Sequence, residues 1–488
     1  MKKFSKIVVL GFLINLVISA ITPNSIAFTC SAEAICTEPN NQLFLYICSD
    51  DEGSAFITWS DNRSGLGYDI YAQKVNVNGN KEWGTSGIVI CTTEGDQWFS
   101  AICSDGNGGA IITWTNESED LRYAQRIDAN GDLLWNISGV LISTRGYRIC
   151  SDNSGGAIIA WQHQEDLYAQ RVSSNGTVMW GSAGLTICNA TYTQENLQFF
   201  CNENGTSFFT WTDYRKGESS PAKWDTDIFI QLVDINGIIQ LQPNGTEICS
   251  ANDYQIYPSI CTDGVGGAFI NWVDLRDQLQ IYAQRINSTG DIEWTSNGTL
   301  LANSVDLTSS AVMCSDDNGG AVIAFRHILY RNLYILRLNL NGTMLYSKLL
   351  YNATIGDTNP SNLRICKDGN GGAFITWDDQ TDPFDSDIGA QRVDSNGNLE
   401  WSETGKVICD EPSDQSEIEI CSYGLGSAFI SWSDNRNGLD SDIYFTLLGK
   451  RRESETISFG NTFLVLTVFS ILALVIVSRR HVNQNTKN

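Results

Sequence analysis

The sequence predicts an all-β chain, an eight-bladed β-propeller of four-stranded blades, and three observations predict it. First, the hairpin "CSDGNGGAIITW" at Cys103–Trp114 nearly recurs as "CTDGVGGAFINW" at Cys261–Trp272 and "CKDGNGGAFITW" at Cys366–Trp377. Aligned on the closing aromatic, the chain holds eight copies, at Trp59, Trp114, Trp161, Trp211, Trp272, Phe325, Trp377 and Trp432, spaced 47 to 61 residues apart. Second, each period carries four short runs of Ile, Val, Leu and aromatics separated by Gly, Asn and Asp, with no helical pattern between them, which is the signature of a propeller blade. Third, the two ends are out of phase. "EAICTE" at Glu33–Glu38 matches a fourth strand such as "IVICTT" at Ile88–Thr93, whereas the last copy stops after a third strand, "DIYFTLL" at Asp442–Leu448. The N-terminal strand therefore completes the last blade and closes the ring without an exposed edge.

Within one period, Phe99–Ser143, strands are expected around Phe99–Cys103, Ala110–Thr115, Leu121–Asp128 and Leu133–Ile142. The Asp-Gly-X-Gly-Gly join and the Asn-Gly joins before Trp83, Trp135, Trp180 and Trp401 supply residues that tolerate positive φ, as tight hairpins require. The run Ala110–Trp114 does not alternate, which suits a strand covered on both faces. Twelve of the fourteen tryptophans fall on two repeat positions, and that regularity marks them as packing groups between blades rather than sugar platforms.

The ends carry addresses. Residues 1–27 have basic residues, an apolar run and small residues in the order of a secretory signal. Residues 28–449 form the propeller, 450–461 a linker, 462–478 an apolar span just long enough to cross a bilayer as a helix, and 479–488 a cytoplasmic tail. Glycosylation acceptors at Asn62, Asn116, Asn136, Asn175, Asn189, Asn204, Asn244, Asn287, Asn297, Asn341 and Asn352 agree with export. The net charge of -25 excludes nucleic acid as a partner, because phosphates are bound by Lys and Arg.

"DANGDLLW" at Asp128–Trp135 and "DSNGNLEW" at Asp394–Trp401 resemble the tryptophan-docking motif of the quinoprotein (PQQ-like) family of eight-bladed propellers. The run "GGAFITW" with a following Asp-Ile-Tyr-Ala-Gln-Arg strand is also similar to uncharacterised repeat propellers of secreted microbial proteins. The resemblance spans residues 33–448 and implies the architecture, with docked tryptophans pinning neighbouring blades. No ligand set for a quinone and its calcium accompanies it. The sixth copy has lost its Trp and its Ala-Gln-Arg.

Chemistry is sparse by comparison. Cys48, Cys103, Cys150, Cys201, Cys261, Cys314, Cys366 and Cys421 are aligned on one first-strand position, and Cys36, Cys91, Cys188, Cys249 and Cys409 on one fourth-strand position. Equivalent positions in adjacent sheets lie about 10 Å apart, beyond the roughly 7 Å reach of a disulfide, so most are expected to be buried thiols. Only three histidines exist, so a histidine-based catalytic or metal cluster is not expected. An Asp-X-Arg follows the second strand at Asp61/Arg63, Asp213/Arg215, Asp274/Arg276 and Asp434/Arg436, read either as a repeated salt bridge or as a charged ring on a binding face. Insertions at Lys216–Asp227 and Asp378–Asp387 enlarge that face, and Asp379, Asp382, Asp385 and Asp387 offer oxygen ligands that calcium could use. No residue carries a catalytic assignment. The reading is a membrane-anchored extracellular propeller that binds a protein or glycan. The alternatives are a propeller enzyme, either a glycan hydrolase or a quinone-dependent oxidoreductase, and a structural component of the cell envelope.

Overall fold

The computed structural model describes residues 32–50, 53–143, 148–216, 225–303, 305, 311–327, 329–353, 358–382, 385–424 and 426–449. The expected signal, membrane helix and tail lie outside them, and among the described residues no helix is long and apolar enough to cross a membrane. The described residues build eight antiparallel four-stranded sheets, seven of them with their strands in sequence order. Blades 1 to 7 occupy residues 42–91, 97–143, 148–188, 194–249, 255–303, 312–351 and 360–409. Blade 8 takes Gln415–Gly424, Ser427–Asp434 and Asp442–Gly449, and its fourth strand is the N-terminal Glu33–Cys36, paired through Glu33 with Phe445 and Cys36 with Ile443. The out-of-phase ends thus close the ring as the sequence predicts.

The turn chemistry behaves as expected. In blade 2 the Asp105 carboxylate accepts the N–H groups of Asn107 at 2.8 Å and Gly109 at 2.9 Å, and Gly106 and Gly108 take φ of 70° and 78°. The expected fourth strand differs. It is only Val140–Ser143, and Leu133 makes a lone bridge to Ile127. The intervening segment is held by a side chain instead of a ladder: Gln125 Oε1 accepts the Trp135 N–H at 2.9 Å, and its amide donates to the Asn136 carbonyl at 2.7 Å. That frees Trp135 to dock on blade 3, where its indole donates to the Ser174 carbonyl at 3.0 Å. Trp83 and Trp180 dock on the next blade in the same way, through Ala129 and Ile235 carbonyls.

The core lies between blades. Phe56, Ile70, Ala72 and Trp83 of blade 1 pack on Ile102, Ala110, Ile112 and Trp114 of blade 2. At the closure Ile35 and Cys36 pack with Phe429 and Phe445 against Leu45, Ile57 and Trp59. Second strands are covered on both faces, and Ala268–Asp274 is buried at every residue. A repeated ion pair joins the hairpin Asp to the third-strand Arg: Asp105–Arg126, Asp152–Arg171 and Asp263–Arg285 at 2.8 Å, Asp316–Arg337 at 2.7 Å, Asp368–Arg392 at 3.0 Å. Blade 1 keeps the Asp as Asp50 but has Lys74 in place of the Arg, and two other blades lose both partners. Blade 4 has Asn202 with Leu232, and blade 8 has Tyr423 with Leu447. The sixth copy keeps this Arg as Arg337, so its loss of the Ala-Gln-Arg run is only partial.

The first-strand cysteines require one correction. Cys48 pairs in register with Phe56 and Cys150 with Ile158, but in blade 4 that place belongs to Phe200, opposite Phe208, and Cys201 lies one residue further, opposite Ser207. A one-residue step turns a side chain to the other face of a sheet. Cys201 therefore faces blade 3 while the seven others face the following blade, and it bridges to Cys150 with a Cα–Cα distance of 6.5 Å. The remaining cysteines among the described residues are eleven thiols. Alkylating the unfolded, unreduced chain and mapping the peptides should label those eleven and spare Cys150 and Cys201; a second protected pair would contradict these strand faces.

Candidate binding site at the channel mouth

Where a chain repeats its architecture eight times, function shows as the position that does not repeat. Register places Tyr46, Ala101, Arg148, Gln198, Ser259, Val312, Arg364 and Glu419 at one equivalent first-strand position, opposite Thr58, Thr113, Ala160, Thr210, Asn271, Ala324, Thr376 and Ser431. Seven residue types fill the eight copies. These residues line a central cavity of about 500 Å³. Arg148 and Arg364 belong to blades 3 and 7, which stand opposite in a ring of eight, and Arg364 Nε lies 3.0 Å from Glu419 Oε1. Burial pushes the Glu419 carboxyl up, and Arg364 and Arg148 pull it back only in part. Burial also raises Glu417, whose carboxylate accepts the Phe44 N–H at 2.7 Å.

The rim of this channel is strained in a repeated way. Phe44, Phe99, Asn196, Tyr257, Asn362 and Glu417, each two residues before the lining position, hold left-handed φ between 48° and 56°. Each sits at a register shift of its first strand. A non-glycine residue in this conformation costs about 1 kcal/mol or more, and bulges re-aim side chains at barrel rims and next to active sites. Here Asn196 and Tyr257 line the cavity itself. On blades 1 and 2 the same bulge presents aromatics: Phe99 is 50% exposed, and Phe44 stands 5.4 Å from Trp98 and 5.2 Å from Phe99 between ring centroids. Tyr68 lies 3.9 Å from Trp98, whose indole donates to Glu117 at 2.8 Å. The fully buried Arg122 donates to the Phe99 carbonyl, anchoring the bulge from within. Trp98 carried a signal in the sequence, since it and Trp224 are the two tryptophans off the repeat positions; Trp224 lies outside the described residues.

The Asp-X-Arg residues are at the same end of the blades, packed between them. Asp61 is fully buried and accepts from the Trp59 indole at 2.7 Å, the Arg63 N–H at 2.9 Å and the guanidinium at 2.9 and 2.6 Å. Arg63 in turn donates to Cys36 Sγ of blade 8 at 3.2 Å and the Ser86 carbonyl at 3.0 Å, and stacks 3.7 Å over Tyr71. Asp213/Arg215 with Cys188, Asp274/Arg276 with Cys249, and Asp434/Arg436 with Cys409 repeat this inter-blade staple. Burial pushes Cys36 and Cys249 up to about 12 and Cys188 and Cys409 up to about 11, so neutral thiols accept these hydrogen bonds. At blade 7 the Cys position is taken by Tyr351 of blade 6, which donates directly to Asp379.

The second insertion extends a hairpin. Ala373–Asp382 and Asp385–Val393 pair through Asp379 with Asp387 and Asp382 with Asp385. Burial and the neighbouring Asp385, Asp410 and Asp379 push Asp387 up to about 6. Among the described residues no group of three His, Cys, Asp or Glu is placed to hold a metal ion. Most of the first insertion lies outside the described residues, and its anchor Lys216 pairs with Asp227 at 2.9 Å. Of the glycosylation acceptors, Asn116 is 3% exposed with its amide bound to Glu94, and the other ten are exposed or half-exposed.

No family model matches the chain, and no curated protein matches it. Among solved structures it is similar to the WD40 domain of SCAP from fission yeast, at 8% identity and a TM-score of 0.46 over 87% of this chain and 95% of that one. It is also similar to the β-propeller domain of the Trilobed protease from Pyrococcus furiosus, at 9% identity and 0.44 over 75% and 99%. An ulvan lyase of polysaccharide lyase family PL25, bound to -[GlcA(1-4)Rha3S]-, matches at 10% identity and 0.37 over 86% and 96%. The propeller architecture itself rests on the strand pairing of the eight sheets.

Proposed function

We propose that the chain is a cell-surface recognition module that binds a saccharide at the channel mouth, with its repeats outside the cell and its C-terminal segment in the membrane. One observation carries the reading: a first-strand position that holds seven residue types in eight copies faces a polar cavity rimmed by exposed aromatics. Aromatic faces receive the apolar faces of sugar rings, and Arg148, Gln198, Asn196 and Ser259 supply hydrogen-bonding groups of the kind that fix orientation. The docked tryptophans support kinship in architecture with the quinoprotein propellers and nothing about their cofactor.

A glycan panel probed with the full chain tests this. Trp98→Ala and Phe99→Ala are expected to weaken the best binder roughly tenfold each, since a ring stacked on a ligand contributes about 1 kcal/mol or more. Unchanged binding by both variants would remove the rim from the site, and capture of a protein with no glycan dependence would replace the saccharide reading. A specific observation also favours a second reading, hydrolysis of the bound glycan. Asp378 is pushed up to about 7 by burial beside Arg364, and Glu417 and Glu419 are raised on the same wall. New reducing ends that vanish in Glu419→Gln would establish it.

A further inference from the structure

The inter-blade staples fill one place in the fold, and at blade 3 that place is a cleft. In blades 1, 4, 5 and 8 the aromatic of the third strand is covered by a guanidinium, Arg63 over Tyr71, Arg215 over Phe229, Arg276 over Tyr282 and Arg436 over Tyr444, at 3.7 to 4.0 Å. In blade 6 the His327 ring lies tilted against the corresponding Tyr334 at 5.9 Å between centroids. Blade 3 keeps the aromatic as Tyr168, stacked on Trp161 as Tyr71 is on Trp59. Its staple residues are all exchanged. His163 stands where the Asp would be, Glu165 where the Arg would be, and Ser143 of blade 2 where the Cys would be. What remains is a cavity of about 420 Å³ lined by Leu141, Ser143, Trp161, His163, Tyr168 and Ala183 among others.

The acceptors of a guanidinium are still present. Ala183 occupies the turn position of Ser86, Asn244 and Asn297, whose carbonyls accept the staple arginines at 2.8 to 3.0 Å. The Ser143 hydroxyl replaces the accepting Sγ, and a neutral imidazole offers one acceptor nitrogen. Acid collects at the edge, with Glu165 exposed and Asp166 accepting the Tyr168 hydroxyl at 3.1 Å. The buried Arg122 on this side of blade 2 is turned inward to Thr113 Oγ1 and the Phe99 carbonyl. The apolar walls suit the methylene stem of a long cationic side chain.

We propose that this cleft receives an arginine side chain presented by a partner protein, whose guanidinium stacks on Tyr168 in the way the chain's own arginines stack in four other blades. The chain's strong negative charge favours such a basic partner. The site is separate from the channel mouth, so either can fail alone.

The test uses the full chain with three probes, N-acetyl-arginine amide, N-acetyl-lysine amide and N-acetyl-phenylalanine amide, read by melting temperature and by tryptophan fluorescence. The arginine probe is expected to bind, the other two at least tenfold more weakly, and Tyr168→Leu to lose about tenfold for arginine alone, the scale of a partly desolvated cation–π contact. A second variant rebuilds the staple. His163→Asp with Glu165→Arg should supply an internal guanidinium, raise the melting temperature and abolish the arginine response. Preference for the phenylalanine probe would make the cleft an apolar site and overturn the proposal. So would an arginine response that survives both Tyr168→Leu and the rebuilt staple.

Discussion

Asp61→Ala lowers the stability of the fold by about 3 kcal/mol or more, the scale of leaving one member of a buried ion pair without its partner. The reason is the company that Asp61 keeps. Its carboxylate is fully buried and is the acceptor for the Trp59 indole, the Arg63 backbone and both edges of the Arg63 guanidinium. Removing it leaves a guanidinium that is 17% exposed, without a counter-ion, beside an indole N–H without an acceptor. The position also matters for topology, because Arg63 reaches Cys36 on the four-residue strand that closes the ring. Pairing between that strand and blade 8 spans only Glu33, Ala34 and Cys36. The variant is therefore expected to show proteolytic cleavage near the N-terminal strand as well as earlier melting. Asp61→Ala with Arg63→Met should recover most of the loss, since replacing a whole buried pair by apolar groups is often close to neutral. A single variant that melts with the parent, or a double variant worse than the single, would show that the staple contributes packing alone.

Acidification from pH 7.5 to 4.5 raises the melting temperature by several degrees. Four staple-position aspartates face a second aspartate across the hairpin: Asp61 with Asp69, Asp213 with Asp227, Asp379 with Asp387 and Asp434 with Asp442. Burial, with the facing or adjacent carboxylates behind it, pushes Asp69, Asp227, Asp387 and Asp442 up to about 6, and burial pushes Asp378 up to about 7. In an unfolded chain these groups titrate near the ordinary value of about 4. Below that value both states are protonated and the contribution is whole; between about 4 and 6 the folded state holds protons that the unfolded state has released, so stability falls as pH rises through this window. Asp434 works in the other direction. Burial would raise it, but Arg436 and the Trp432 indole outweigh burial and hold it below the ordinary range, so its contribution is lost only in stronger acid. The expected maximum therefore lies near pH 4 to 5, lower than for most domains. Relief of general self-repulsion in a chain of charge -25 has the same sign. Asp69→Asn and Asp442→Asn separate the two causes, because they should raise the melting temperature at pH 7.5 and flatten its pH dependence at nearly the same net charge. A melting temperature that falls steadily from pH 7.5 to 4.5 would refute the facing-carboxylate account.

The repeat made the architecture legible, and it also hid part of the site. Trp59, Trp83 and their equivalents read correctly as packing groups because a residue recurring at a fixed phase meets the same neighbour each time. The same alignment placed Cys201 with seven other cysteines, although it stands one residue further along its strand and so on the opposite face, where Cys150 waits. The channel-lining position went unnoticed for the opposite reason. Tyr46, Gln198, Ser259 and Glu419 share no residue type, and only strand register shows them to be equivalent. Trp98 was visible as a tryptophan off the repeat, but its neighbours Phe44 and Tyr68 come from another blade.

By itself the sequence determined the number of blades, the four strands in each, the closure by Glu33–Cys36 and a chain rich in buried thiols. These follow from local causes: hairpin chemistry in Asp-Gly-X-Gly-Gly, apolar runs of strand length, and the phase of the two ends. Tertiary structure alone decided that Asp61 and its equivalents are buried between blades, that Cys150 and Cys201 meet, that Arg148 and Arg364 share a channel, and that blade 3 has a cleft where other blades have a guanidinium. Each of those depends on which face of a strand a side chain occupies and on which blade stands next to it. That information belongs to the closed ring, because residues some fifty positions apart come within bonding distance only when the sheets pack side by side.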